Sequence, residues 1–437
     1  MTDLLLANAT WLDLTTGTSH PDTSVRVRGD RITDVAPGRR LDPERGELTR
    51  DARGRTLMPG LIDAHVHAAL TTLDLNALAR RSPTRVGIET KNILEGMLTR
   101  GFTTVRDAGG LDRGIAEALD AGLIEGPRVF RSGRVLSQTG GHGDTRLPDE
   151  PGSEHHLCAC HIQTTAFAHI ADGPDAVRRA VREELKGGAH QIKVMAGGGV
   201  ASPSDPIDMV QYTPEEIRVA VEEAASRRTY AFAHAYVPDA IIRAARAGVR
   251  SIEHGNLVDE HAAAVMAEHG TYLVPTLVVY EQNALVGRQL GFPEASLAKL
   301  DQVQTAGRRA IEFALAAGAR VGFGTDLIGE THPAQARELL LRAEVQTPLE
   351  VLRSATLVNA DLLGRAGDLG VIAPGASADL LLIEGNPLKD LTVLTRAETL
   401  RLVMRGGGIV VDRDTGDLDN RSNNIAARPA VREEVTA

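Results

Sequence analysis

Eight short apolar runs recur through the middle of the chain, and most are separated by stretches with helical patterning. They fall at Leu61–His67, Thr103–Ala108, Arg128–Gly133, Gln191–Ala196, Tyr230–Tyr236, Ser251–Asn256, Thr271–Leu277 and Val321–Leu327. A typical separator is Asp175-Ala176-Val177-Arg178-Arg179-Ala180-Val181-Arg182-Glu183-Glu184-Leu185, whose apolar residues return with a helical period. Eight strands alternating with helices over roughly three hundred residues predict an α/β fold, a (β/α)8 TIM barrel, with an open doubly wound sheet as the alternative. The ends of the chain differ. Leu4-Leu5-Leu6-Ala7-Asn8-Ala9, Ser24–Arg28 before a Gly29-Asp30 turn, Ala378–Ile383, Leu400–Met404 and Ile409–Val411 after Gly406-Gly407-Gly408 read as strands and hairpins. They suggest one small β-rich domain assembled from residues 1–58 and 367–412, a barrel over 59–366, and a tail over 413–437.

Composition narrows the classes of function. A net charge of −10 argues against a nucleic-acid partner bound through a broad positive surface. No run approaches the ~18 consecutive apolar residues of a membrane span, and the N-terminus lacks the charged and apolar regions of a secretory signal. The only two cysteines, Cys158 and Cys160, cannot build a disulfide framework, so a reducing cytoplasm is the expected compartment.

In a barrel of this kind, chemistry sits where strands end and the following loops begin. Here the runs close on unusual residues: Asp63-Ala64-His65-Val66-His67, Ile192-Lys193-Val194-Met195, Phe232-Ala233-His234-Ala235-Tyr236, Ile252-Glu253-His254-Gly255 and Phe323-Gly324-Thr325-Asp326. Side chains two apart on a strand share a face, so His65 and His67 can grip one cation. Imidazole and carboxylate suit Zn²⁺ and its neighbours. Taken singly, each histidine reads more readily as a satisfied core or surface group than as a ligand; four at matching strand ends do not. Lys193 is the sharper signal. Of 48 basic side chains only five are lysine, and this one is flanked by Ile192, Val194 and Met195. A buried ammonium costs several kcal/mol unless paired. A neutral amine can instead add CO₂ and become an anionic two-oxygen ligand, whereas guanidinium cannot. A buried acid on an adjacent strand is the alternative partner.

The ordered set of motifs resembles the metal-dependent amidohydrolase superfamily, in the branch of imidazolonepropionase-like and Xaa-Pro dipeptidase (prolidase-type) enzymes. It comprises Met58-Pro59-Gly60-Leu61-Ile62-Asp63-Ala64-His65-Val66-His67, Gly140-Gly141-His142-Gly143-Asp144, Gln191–Met195, Ala233–Tyr236, Ser251–Gly255, Gly324-Thr325-Asp326 and Gly375-Ala376-Ser377-Ala378-Asp379-Leu380. The resemblance implies a β-sandwich formed from both chain ends, a TIM barrel and a two-metal centre, usually zinc with Mn²⁺ or Co²⁺ as options. His65, His67 and Asp326 would hold one ion, His234 and His254 the other, and a CO₂-derived carbamate on Lys193 would bridge both. It further implies a metal-bridging hydroxide as nucleophile, Asp326 as general base and acid, and His142 and Tyr236 as catalytic and substrate contacts. The implied reaction is hydrolysis of an amide-type C–N bond in an N-acyl amino acid or Xaa-Pro-like dipeptide. Aryl ureas, carbamates, lactones or phosphotriesters are alternative substrates, and a non-catalytic metal-binding barrel is a remoter one. Only a small-molecule partner is expected, with no membrane, and a homo-oligomer because relatives assemble so.

The cluster His155, His156, Cys158, Cys160 and His161 lacks the Cys-x₂₋₄-Cys spacing and second half of a structural zinc site, and reads as a loop over the pocket. Gly197-Gly198-Gly199 lacks the context of a phosphate loop and reads as a close backbone approach to the site. His332 reads as a rim residue. His20, His261 and His269 read as surface or helix residues.

Overall fold

A computed structural model describes residues 3–146, 167–200, 205–290 and 294–414. All eight apolar runs take their places in a parallel barrel. The strands are Leu61–Val66, Phe102–Asp107, Arg128–Arg131 with its continuation Val135–Ser137, Ile192–Met195, Ala231–Ala235, Ser251–His254 and Tyr272–Val274. The eighth run makes a bridge from Val321 to Leu273 rather than a long strand. It still closes the ring, because the Phe323 carbonyl accepts from the Ala64 N–H at 2.8 Å and the Asp326 N–H donates to the His65 carbonyl at 2.8 Å. The barrel alternative to the open sheet is therefore the observed one.

Strand alternation sorts the side chains. On the strand Ala231–Ala235, the alanines Ala231, Ala233 and Ala235 pack outward with Ile192, Val194 and helix residues such as Ile217, Ile241 and Ala244. Phe232, His234 and Tyr236 face inward by the same alternation. Five helices begin with proline at the first turn: Pro83–Thr99, Pro174–Lys186, Pro214–Ser226, Pro238–Ala247 and Pro348–Arg353. There a missing N–H costs nothing and φ is already set. Thr213 and Glu216 add a reciprocal capping box at the start of Pro214–Ser226.

Strands from both chain ends form one eight-stranded sheet. Its path runs Gly408–Asp412, Leu400–Arg405, Leu380–Ile383, Thr56–Pro59, Leu4–Asp13, Thr18–Arg28 and Arg31–Ala36, with Leu48–Asp51 paired to Leu4–Asp13. Alternation gives this sheet two apolar faces. Leu380, Leu382, Leu402 and Met404 join Leu4, Leu6, Val25 and Val27 in the sheet's own core. Leu381, Ile383 and Val403 pack with the barrel residues Leu61, Phe102 and Phe323. Among the described residues no helix is long and apolar enough to cross a membrane. The histidine and cysteine cluster at 155–161 and residues 415–437 of the tail lie outside the described residues.

Candidate metal centre

The candidate ligands converge at the C-terminal ends of the strands. The His65 ring lies 5.3 Å from His67 and 4.8 Å from His254, and His254 lies 4.6 Å from His234, centroid to centroid. One donor atom from each of His65, His254 and Asp326 falls within 4.8 Å of the other two. Two of these residues sit on left-handed backbone, His254 at φ 69° and Asp326 at φ 55°. Non-glycine residues adopt that region rarely and at a cost. The effect at His254 is concrete. Glu253 and His254 are neighbours in sequence, so a regular strand would aim them at opposite faces. Glu253 meets His65 inside the barrel and His254 also meets His65, because the turn at His254 breaks the alternation.

Hydrogen bonds fix which nitrogen of each ring is free. His65 Nδ1 lies 2.6 Å from Glu253 Oε2, and His67 Nδ1 lies 2.9 Å from the Gly109 carbonyl. Both partners are acceptors, so both Nδ1 atoms carry the proton and both Nε2 atoms present lone pairs. Those two Nε2 atoms each sit 3.4 Å from the same Asp326 Oδ1. His65 Nε2 is buried without any hydrogen-bond partner. Two lone pairs and a carboxylate oxygen facing one another repel unless a cation lies among them. Their separation suits ligands of one ion with bonds of ~2.1 Å. His234 Nε2 points to the Gly198 carbonyl at 3.1 Å, which leaves its Nδ1 as the free donor atom. The donor set thus fits a divalent metal.

Burial dominates the electrostatics. It holds His65, His234 and His254 well below the usual histidine range and brings His67 down to about 3, and the nearby Lys193 charge pushes each the same way. These rings stay neutral and able to coordinate. Burial pushes the Asp326 carboxyl up, against the pull of Lys193. It pushes the Lys193 amine down, against the pull of Glu253 and Asp326. Lys193 is 1% exposed, its Nζ lies 5.1 Å from the Phe232 ring centroid, and it forms no ion pair with a described residue. The alternative of a direct acid partner on a neighbouring strand is not what the described residues provide.

The two expected substrate contacts also lie here. The His142 ring stacks on His234 at 4.4 Å and 14°, and its Nδ1 is 3.0 Å from the buried Asp205 carboxylate. A Cβ on Gly199 would come within 2.0 Å of the His142 ring, so this glycine of the triple-glycine loop is required by His142. Tyr236 stacks on His254 at 5.3 Å, and its hydroxyl lies 2.8 Å from the Tyr280 hydroxyl. Burial pushes both phenols up, so they stay protonated.

Several supporting residues escaped the sequence reading. Glu253 orients His65 and is itself held by Arg106 at 2.8 Å and by Ser251. Arg106 also donates to the Ala64 carbonyl at 2.6 Å and lies 4.1 Å over the Phe232 ring. A carboxylate behind a ligating imidazole fixes its tautomer and raises its basicity. Asp205 and Tyr280 play comparable parts for His142 and Tyr236. Glu253 and Arg106 carried an available signal, since each is a charge inside an apolar run, as Lys193 is. The expectation for His332 is corrected: it is 3% exposed, packed inside on the short helical turn Gly329–Ala334. Burial, with the Arg100 charge, brings it down to about 3. His261 and His269 are exposed, and His20 is partly covered by stacking on Trp11 at 4.9 Å.

A parallel barrel whose strand ends gather imidazoles and carboxylates around a shared gap defines a class of metal-dependent hydrolase. The chain belongs to the amidohydrolase family, whose model matches residues 56–410. It is an enzyme of hydrolytic type acting on carbon–nitrogen bonds. Ochratoxinase of Aspergillus niger is 35% identical over 375 residues, covering 80% of this chain and 75% of that protein. A solved prolidase complexed with N-methylphosphonate-L-proline is 46% identical with a TM-score of 0.90, over 94% of this chain and 100% of that one. A Xaa-Pro dipeptidase with methionine bound in its active site is 28% identical with a TM-score of 0.83, over 93% and 99% of the two chains.

Proposed function

We propose that the protein is a binuclear-metal hydrolase that cleaves an amide or peptide-type C–N bond in a Xaa-Pro-like dipeptide or an N-acyl amino acid. The observation that carries the metal assignment is the meeting of the His65 and His67 lone pairs with Asp326 Oδ1, each 3.4 Å away, around an orphaned buried nitrogen. The substrate class is supported by the 46% identity to a prolidase that binds a proline phosphonate. His65, His67 and Asp326 would hold one ion, His234 and His254 the second, and Lys193 would link them as its carbamate, usually with zinc. Divalent cations there would acidify a water molecule and polarise the scissile carbonyl.

The chain's own groups supply the rest. Asp326 Oδ1 faces His65 and His67 while Oδ2 lies 3.7 Å from His254 Nδ1, so one carboxylate can hold position and also carry a proton. That proton is taken from the attacking water and passed to the leaving amine. Desolvation raises the partly buried Asp326 carboxyl, which favours its carrying that proton near neutral pH. The Tyr236 hydroxyl, hydrogen-bonded to that of Tyr280, would donate to the developing oxyanion. His142, held by Asp205 through Nδ1, would offer its Nε2 to a substrate oxygen.

The test is a substrate panel on protein loaded with Zn²⁺, Mn²⁺ or Co²⁺. Xaa-Pro dipeptides and N-acyl amino acids should be hydrolysed with higher kcat/KM than aryl ureas, carbamates, lactones or phosphotriesters, and a chelator should abolish turnover reversibly. Turnover confined to the second group, or indifferent to the chelator, overturns the assignment.

A further inference from the structure

A cavity of about 540 Å³ opens at the other end of the barrel. Its wall includes Gln191, Tyr230 and Arg250, each immediately before the strands that begin at Ile192, Ala231 and Ser251. It therefore lies at the strand N-termini, remote from the imidazoles at their C-termini. Its lining is one-sided in charge. Arg227, Arg228, Arg250 and Arg365 contribute to it, and among the described residues no aspartate or glutamate does. In a chain with 58 acidic and 48 basic side chains, an acid-free basic cavity is not the expected outcome of chance.

The arginines divide into two kinds. Arg250 is anchored, donating to the Leu362 carbonyl at 2.7 Å and the Asp361 carbonyl at 2.6 Å, and Arg365 is tied to Asp368. Arg227 and Arg228 have no ion-pair partner among the described residues. Arg228 also stands on left-handed backbone, φ 58°, just past the helix Pro214–Ser226. Glycine fills that position cheaply, so an arginine there brings its side chain at a conformational cost. Phe130, Leu185 and Leu363 supply apolar wall beside these charges. Guanidinium forks match phosphate and carboxylate oxygens in pairs. The modest volume suits a small molecule rather than a polymer.

We infer that this cavity is a binding site for a small anion carrying phosphate or carboxylate groups, separate from the metal centre and independent of its assignment. Arg227 and Arg228 supply the uncommitted charge, Arg250 the fixed edge, and the apolar wall seats the remainder of the ligand.

Isothermal titration of the metal-loaded protein with inorganic phosphate and with succinate, at ionic strength held constant by sodium chloride, tests this. Either probe should bind saturably at one site per chain, and which of them binds identifies the head group. The Arg227→Ser/Arg228→Ser variant should weaken that binding about tenfold or more. Ala189→Trp, which fills the cavity and keeps all four arginines, should weaken it too and serves if the double variant does not fold. No saturable binding of either probe, or binding that both variants retain, overturns the inference.

Discussion

The two ends of the barrel grow from the same parallel strands and present opposite chemistry. At the C-terminal ends, imidazole lone pairs and a carboxylate face one another across a shared gap. At the N-terminal ends, guanidiniums line a cavity to which no described aspartate or glutamate contributes. The upper groups are buried and held in place by partners such as Glu253, Thr276 and Gly109. The lower pair, Arg227 and Arg228, is exposed and uncommitted. The contrast shows what the packed interior buys at the mouth: strained backbone and neutral histidines persist there because their surroundings over-determine them.

The largest effect should follow from His65→Ala, which removes the orphaned nitrogen. We expect kcat/KM to fall by about three orders of magnitude or more, with bound metal lost, whereas Arg228→Ser at the opposite end should leave it within about twofold. Metal analysis of the purified variants beside steady-state kinetics makes that check. Equal losses from both changes would erase the distinction between the two ends.

A smaller effect is expected from Glu253→Gln, which touches no substrate. It removes the carboxylate behind His65, so metal affinity should fall about 10- to 100-fold and added metal should restore much of the activity. The variant also leaves Arg106 buried without its acid, so a lowered melting temperature should accompany it. A variant that melts earlier yet titrates metal as tightly as the parent would show that Glu253 serves packing alone.

The smallest is a pH effect at His332. Its pKa is about 3 in the fold and near 6.5 ordinarily, so between those values the unfolded chain binds the extra proton. Stability from this site is complete above about pH 6.5 and drains away as pH falls toward 3. In urea titrations at several pH values, His332→Gln should flatten that acid-side slope by at most ~1.4 kcal/mol per pH unit. An unchanged slope would place the acid sensitivity in the metal-centre histidines instead.

Much of this architecture is legible in the chain, and the reason is local. The eight apolar runs, the His65-Val66-His67 pair and the misfit Lys193 are patterns within a few residues, and strand alternation turns them into faces. The support for those side chains is a different matter. His65 meets Glu253 across 188 positions, and Tyr236 meets Tyr280 across 44. No period links such pairs; barrel closure and strand register bring them together. His332 shows the converse, since a polar residue soon after a strand end looks exposed until the turn Gly329–Ala334 folds it inward.

By itself the sequence determined the alternation of strands and helices, the candidate cation ligands, and the β-rich character of both ends, because each follows from side-chain chemistry at short range. Only the tertiary structure decided that Glu253 and His254 both turn to the interior, which nitrogens are left bare, and that four arginines line one cavity. Those outcomes depend on ring closure, which matches residues by position in space rather than by distance along the chain.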